Sequence, residues 1–251
     1  MGATDSAGTP WAGRAFRPNA AAGDDGSAPP ALLGAIAAFR SGEASPTAVI
    51  DAVRESRLLV PLLAEAGETG ETPDGRVVDK TQELAIVTVA GPDGRAVLPA
   101  FTSVTAMAAW NATARPVPAA GPRVALAALG DGTELVVLDP RSETEFAIRR
   151  PALWAIANDA PWVPCWLDEE VLRAFMAGAA AEHAVLAVEL LPGDPECRLA
   201  GPELVARVRV RDGLDRDGLR ALLARLQHAW SADPIIAERV DSLTLRVVAA
   251  A

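Results

Sequence analysis

The sequence predicts an α/β protein of the α+β kind, with a mixed, mostly antiparallel sheet carrying inserted helices and then a smaller two-layer α/β sandwich domain. Three observations carry this reading. Apolar runs of strand length, bounded by Gly, Pro and Asp turns, fill the middle of the chain. Helical periodicities that open on Pro, Ser or Asp alternate with them. After residue 161 a helix, two strands, a helix and a strand follow one another, the set a two-layer unit needs. With 251 residues, half of them hydrophobic, the chain can bury two cores. The predicted organisation is an arm over residues 1–30, one domain over 31–160 and a second over 161–251.

The arm is rich in Gly, Ala, Pro and Asp and lacks periodicity, so it reads as loosely ordered, with Trp11 and Phe16 as the two side chains able to hold part of it against the folded body. Helices follow at 31–40 and, after Ser45-Pro46, to about residue 56, where Val49, Ile50 and Val53 share a face. Arg57 to Ala64 suits a buried strand, with Pro61 marking an edge or irregularity. Residues 83–90 and 95–101 form a hairpin around Gly91-Pro-Asp-Gly94. Thr102-Ser103 opens a short helix with Val104, Met107 and Ala108 on one face. A second hairpin is predicted from 124–129 through Gly130-Asp-Gly132 into 134–138. A strand at 146–148 and a helix from Pro151 to Ile156 complete the first domain.

Pro161-Trp-Val-Pro-Cys-Trp166 reads as an irregular crossing, after which Asp168 caps a helix with Val171, Leu172, Phe175, Met176 and Ala179 on one side. Strands at 184–191, 203–211 and 243–248 and an amphipathic helix at 215–230 finish the chain.

Composition excludes several functional classes. A formal charge of −10, negative in both halves, offers nucleic acid and anionic lipid no general attraction. The opening residues lack the basic cluster and apolar run of a signal peptide, and no apolar run is long enough to span a bilayer, so neither a membrane nor a nucleic-acid partner is expected and the expected location is cytoplasmic. The cysteines, Cys165 and Cys197, stand in no metal-ligand spacing and read as reduced thiols. Basic residues are arginine except Lys80, and alanine abounds, the usage of a GC-rich genome such as an actinobacterium.

Three stretches resemble one family. Arg57-Leu-Leu-Val-Pro61, then Leu98-Pro-Ala-Phe-Thr-Ser-Val104 running to Trp110 and Ala114-Arg-Pro-Val-Pro118, then Leu138-Asp-Pro140, are similar in that order to the N-terminal domain of actinobacterial SseB family proteins. Trp11-Ala-Gly-Arg14, Pro18-Asn19 and, near the end, Asp233-Pro234 and Arg239-Val-Asp-Ser-Leu243 resemble longer members. The resemblance implies a fold more than a function. The family takes its name from an enterobacterial protein linked to enhanced serine sensitivity, the same label is used for an unrelated secretion-translocon protein, and no catalytic or ligand residues carry over.

The residues themselves argue against familiar chemistry. The chain has two His, two Cys and no Tyr. His183, at the end of the helix after Asp168, and His228, on the polar side of the last helix, lack partners at metal spacing, so no metal and no cofactor are expected. Cys165 lies among Trp162, Pro164 and Trp166, where an apolar setting keeps a thiol inert; Cys197 sits in a loop. Gly130-Asp-Gly-Thr133 lacks the third glycine and the following helix of a dinucleotide fingerprint and reads as a hairpin turn. Asp24-Asp25-Gly26 lacks the alternating ligands of a calcium loop and reads as a turn in a flexible arm.

Two surfaces remain as candidates. One gathers Arg115, Trp110 and the hydroxyls of Thr102 and Ser103 around a short helix, with the alternative that Arg115 pairs with Asp139 and Trp110 packs on the sheet. The other is the strand around Arg207, Arg209 and Arg211, where period-two alternation turns Ala206, Val208 and Val210 to the core and Arg246 can join the arginines, with Glu189 as a neighbouring acid. The leading expectation is a non-enzymatic protein-interaction module, its partner another protein. A small-molecule sensor, or an enzyme working through Arg115 and Asp139, is the rival, and family context adds a secretion-associated or toxin-immunity protein.

Overall fold

The computed structural model describes residues 23–64, 69–71, 77–79 and 84–249; Trp11 and Phe16 lie outside the described residues. The elements in order are α1 (Pro30–Arg40), α2 (Pro46–Arg54), β1 (Arg57–Ala64), β2 (Thr69–Glu71), β3 (Val77–Asp79), β4 (Leu84–Ile86), β5 (Val89–Ala90), β6 (Ala96–Ala100), α3 (Val104–Trp110), β7 (Arg115–Ala120), α4 (Gly121–Gly130), β8 (Leu135–Leu138), β9 (Phe146–Arg149), α5 (Arg150–Ala157), α6 (Glu169–Ala179), β10 (Val185–Pro192), β11 (Leu204–Val210), α7 (Arg216–Ser231), α8 (Pro234–Arg239) and β12 (Leu243–Ala249).

Around the first core a sheet of order β4-β1-β7 meets one of order β5-β6-β8-β9 through a bridge between Leu59 and Phe101, whose backbones exchange two hydrogen bonds of 2.8 Å. Strands β6 and β8 run parallel and the other pairs antiparallel, the mixed α+β arrangement the sequence predicts. Alternation along the strands fills both faces. Leu58, Leu98, Val136 and Ile148 join the core under α1, α2, α4 and α5, while Val97, Leu135, Val137 and Ala147 face the other way. Leu199 packs on that second face, and beside it α3 packs through Met107 and Trp110 on Leu59 and Phe101.

A second core forms where α6, α7 and α8 stack on one face of a sheet of order β10-β11-β12. Trp230 fills its centre, stacking on Phe175 at 4.8 Å and donating from Nε1 to the Phe175 carbonyl at 3.0 Å, so its one polar atom is satisfied in the core. Helix α8 was not legible in the sequence.

Several local expectations are corrected. Residues 124–129 are not a strand: they belong to α4, whose Val124, Ala125 and Ala128 are buried against the first core. The apolar run carries no alternation that would separate strand from helix, and the following glycine closes a helix rather than a hairpin. Gly132 adopts φ 67°, and the N–H groups of Asp131, Gly132 and Thr133 return to the carbonyls of Ala127, Leu129 and Ala128. The single strand expected at 83–90 divides into β4, paired with β1, and β5, paired with β6. Pro61 lies between the Phe101 bridge and the β4 pairing, where its missing N–H breaks no ladder bond. In α3 it is Ala106 and Met107 that face inward, with Val104 and Ala108 exposed, and Met176 of α6 is exposed. His183 lies beyond the end of α6.

Candidate binding cleft

The site is built on the face of the first sheet that α3 leaves partly uncovered. Two loops shape it.

The first is residues 139–145, leaving the C-terminal end of β8 beside that of its parallel neighbour β6. Asp139 is 1% exposed and adopts φ 41°, and its carboxylate is the hub of the loop. Oδ1 accepts the Thr102 N–H at 2.8 Å, and Oδ2 accepts the hydroxyls of Thr102 and Thr144, each at 2.7 Å. Arg141, at φ 67°, donates its backbone N–H to Glu145 Oε2 at 2.5 Å.

The second loop, residues 193–201, lies between β10 and β11. Asp194 Oδ1 accepts the N–H groups of Arg198 and Ala200 at 3.1 and 3.4 Å, and Oδ2 accepts that of Leu199 at 2.8 Å, so the loop is wound around one buried carboxylate. Its neck is narrow: the Gly193 N–H donates to the Glu203 carbonyl, and a Cβ on Gly201 would stand 2.6 Å from the Gly193 carbonyl oxygen. Cys197 and Leu199 hold φ 48° and 55°. The Cys197 carbonyl accepts the Ala147 N–H at 2.7 Å, so the loop also caps the edge of β9.

Between the loops lies a cleft of about 510 Å³. Val97, Val137 and Leu199 form its floor, Trp110 one wall, and Pro140, Arg141, Glu145 and Arg198 the other. Arg198 makes only long contacts, to the Ser142 and Glu143 carbonyls at 3.3 and 3.4 Å and to Glu145 Oε1 at 3.5 Å. The Arg141 guanidinium is exposed and has no partner among the described residues. Four residues other than glycine with left-handed backbone flank this cleft: Asp139, Arg141, Cys197 and Leu199. Such conformations cost energy and persist where the surroundings enforce them, often at working sites.

Of the residues picked out by sequence, Trp110 lines the cleft, while Thr102 and Asp139 are buried and bonded to each other outside its lining. Ser103 caps α3 by accepting the Ala106 N–H at 3.0 Å, and Trp110 stacks on Phe101 at 5.3 Å. Arg115 does not join them. It opens β7 opposite Leu62, is exposed, and is not paired with Asp139, whose oxygens are occupied by Thr102 and Thr144. Arg207 and Arg209 lie on β11 and Arg211 just after it, outside the cleft lining. The Asp24-Asp25-Gly26 turn is tied down: Arg57 bonds Asp24 and the Ser27 carbonyl, and Val104 donates to Gly26.

Sequence reasoning missed Arg141, Arg198 and the buried charges behind them. Arg149, 7% exposed in its side chain, joins Asp194 at 2.7 Å and Asp241 at 3.1 Å across the seam between the two cores, and Arg95 clasps Asp241 with both terminal nitrogens at 3.0 Å. Burial pushes the Asp241 carboxyl up, but these two arginines outweigh it and hold the group below its ordinary range. Beside them Glu203, 4% exposed, accepts the Asp241 N–H at 2.6 Å, and burial raises its pKa to about 7. Cys165 is buried and its thiol is pushed far up by burial and then by Glu203. Cys197 is half-buried, with burial and Asp194 raising it to about 12.

A wider groove of about 640 Å³ runs between α5, the crossing at 158–168 and α8. Its main cations are already engaged: Arg150 with the Ala237 and Val240 carbonyls, Arg239 with Asp168 and Glu170. The smaller cleft offers the freer charges.

Among the described residues no helix is long and apolar enough to cross a membrane, and no group of His, Cys, Asp and Glu could hold a metal ion. A family model described as the SseB protein N-terminal domain matches residues 32–155, from α1 into α5. No curated protein and no solved structure matches the chain.

Proposed function

Because the chain belongs to the SseB family through its N-terminal domain, we propose that it works as a non-enzymatic protein-interaction module whose contact point is the cleft between Trp110 and the loops 139–145 and 193–201. The observation that supports this most is the lining itself. An apolar floor, an indole wall and two guanidiniums with few commitments suit a peptide segment that presents a carboxylate beside an apolar side chain. The rigidity of both loops, each wound on a buried aspartate, means little ordering is required on binding.

A small-molecule sensor is the second reading, favoured by a cleft volume inside the range of metabolite sites. Selection of peptides from a random display library against the full chain, with Arg141→Glu as the counter-target, separates the two. Enriched peptides carrying an acid next to an apolar residue, and lost with Arg141→Glu, support the module. Absence of such peptides, with a melting-point rise in free amino acids or nucleotides, would overturn it in favour of the sensor.

A further inference from the structure

The β10-β11-β12 sheet has one face under α6, α7 and α8 and one face free of them, and the free face is charged in an unusual way. Along β11, Leu204, Ala206, Val208 and Val210 are buried, while the Arg207 and Arg209 side chains are 40% and 50% exposed. Glu189 of β10 stands opposite Arg207 and serves both arginines, accepting Arg207 Nε at 2.9 Å and Arg209 Nη2 at 3.1 Å. On the other side, parallel β12 sets Arg246 directly opposite Arg207. Arg246 is exposed and has no ion-pair partner among the described residues. Two guanidiniums therefore share one carboxylate and a third stands beside them with no ion-pair partner among the described residues, on a chain whose formal charge is −10.

Like charges placed directly across a sheet are unfavourable, and a solvated face needs no arginine at either position. Fold stability does not account for the pair, and an anionic partner does. Strand β12 ends its sheet, with no described strand on its outer edge. An extended segment laid along that edge completes backbone pairing, and its alternate side chains, roughly 6.8 Å apart, fall on the arginine face.

We propose that the β12 edge and the Arg207–Arg246 pair dock an extended acidic polypeptide segment in which every second residue is Asp or Glu. Nucleic acid fits less well, since a phosphate backbone calls for a broad basic surface and this chain repels polyanions beyond the patch. This surface is separate from the cleft, and either can fail without the other.

The test uses the full chain and a short fluorescein-labelled peptide of alternating Asp and Val, read by anisotropy. The peptide should bind, weakening about tenfold between about 50 and about 200 mM salt. Glu189→Gln should tighten binding several-fold by releasing Arg207 and Arg209. The double variant Arg207→Glu/Arg246→Glu should lose this peptide and bind its Lys–Val counterpart. Arg246→Gln, at an exposed position, checks that loss does not come from misfolding and should itself weaken binding. Equal binding by wild type and the reversed variant, no binding at low salt, or preference for a single-stranded oligonucleotide of the same charge would each overturn the proposal.

Discussion

Arg149 and Asp194 meet at 2.7 Å with side chains 7% and 2% exposed, one at the end of β9 and the other in the loop after β10. The same guanidinium reaches Asp241, the Ser242 hydroxyl at 3.1 Å and the Gly201 carbonyl at 2.8 Å. One side chain at the end of β9 therefore fixes both ends of the loop that floors the cleft and the start of β12. Arginine suits this position because its planar fork satisfies several acceptors at once, which an ammonium on a flexible stem does not.

Replacing Arg149 with Met keeps the bulk and removes the charge, leaving Asp194 and Asp241 buried with fewer counter-charges. Breaking a buried pair from one side costs about 3–5 kcal/mol, so the urea midpoint should fall sharply. Arg149→Lys should recover only part of the loss. A midpoint unchanged by Arg149→Met would show that the seam does not depend on this joint.

Asp139 gives a finer comparison. Asp139→Ala strands the buried Thr102 N–H and both hydroxyls and puts a residue ill-suited to φ 41° at the turn, for about 2–3 kcal/mol. Asn tolerates the left-handed conformation and keeps one oxygen as acceptor, so Asp139→Asn should cost clearly less. Thermal or urea melts of the two variants measure the gap.

Much of this fold was legible because its signals are local. The Ser103 and Asp168 caps, the turn before β6 and the alternation of β11 each follow from a few adjacent residues. Helix α4 was not, because Val-Ala-Leu-Ala-Ala-Leu is apolar at every position and its closing Gly-Asp-Gly ends a helix as readily as it turns a hairpin. The seam was not legible for a different reason. Arg149 is 45 residues from Asp194 and 92 from Asp241 in sequence, and isolated charges read as solvated ones until the chain brings them together. The cleft was only partly legible: Trp110 was singled out, but the cations of its lining come from a loop distant in sequence and from a left-handed position that no composition signals.

The two thiols report on the seam. Burial and neighbouring carboxylates raise both well above an ordinary cysteine, which suppresses the reactive thiolate at neutral pH. Native protein should therefore react slowly with a disulfide reagent, and both sites should become fast in denaturant. Cys197 sits in the loop that Asp194 winds, so Arg149→Met should speed its labelling more than that of Cys165, as mass mapping of the modified peptides would show.

Glu203 makes the seam sensitive to pH near neutrality. Its carboxyl is buried, accepts a single backbone N–H from Asp241, and faces the Asp241 charge and the Cys165 thiol, with Arg149 the nearby cation. Burial raises its folded pKa to about 7 from an ordinary 4.5. The folded protein thus holds a proton that the unfolded chain releases across this window. This group's stabilisation is complete below about pH 4.5 and is lost as pH rises through about 7, at up to about 1.4 kcal/mol per pH unit. Glu203→Gln keeps the acceptor and removes the titration. Between about pH 5 and about pH 8 its urea midpoint should decline less than that of the wild type, and it should be the more stable of the two at the alkaline end. Parallel pH profiles for the two proteins would remove Glu203 from the seam's energetics.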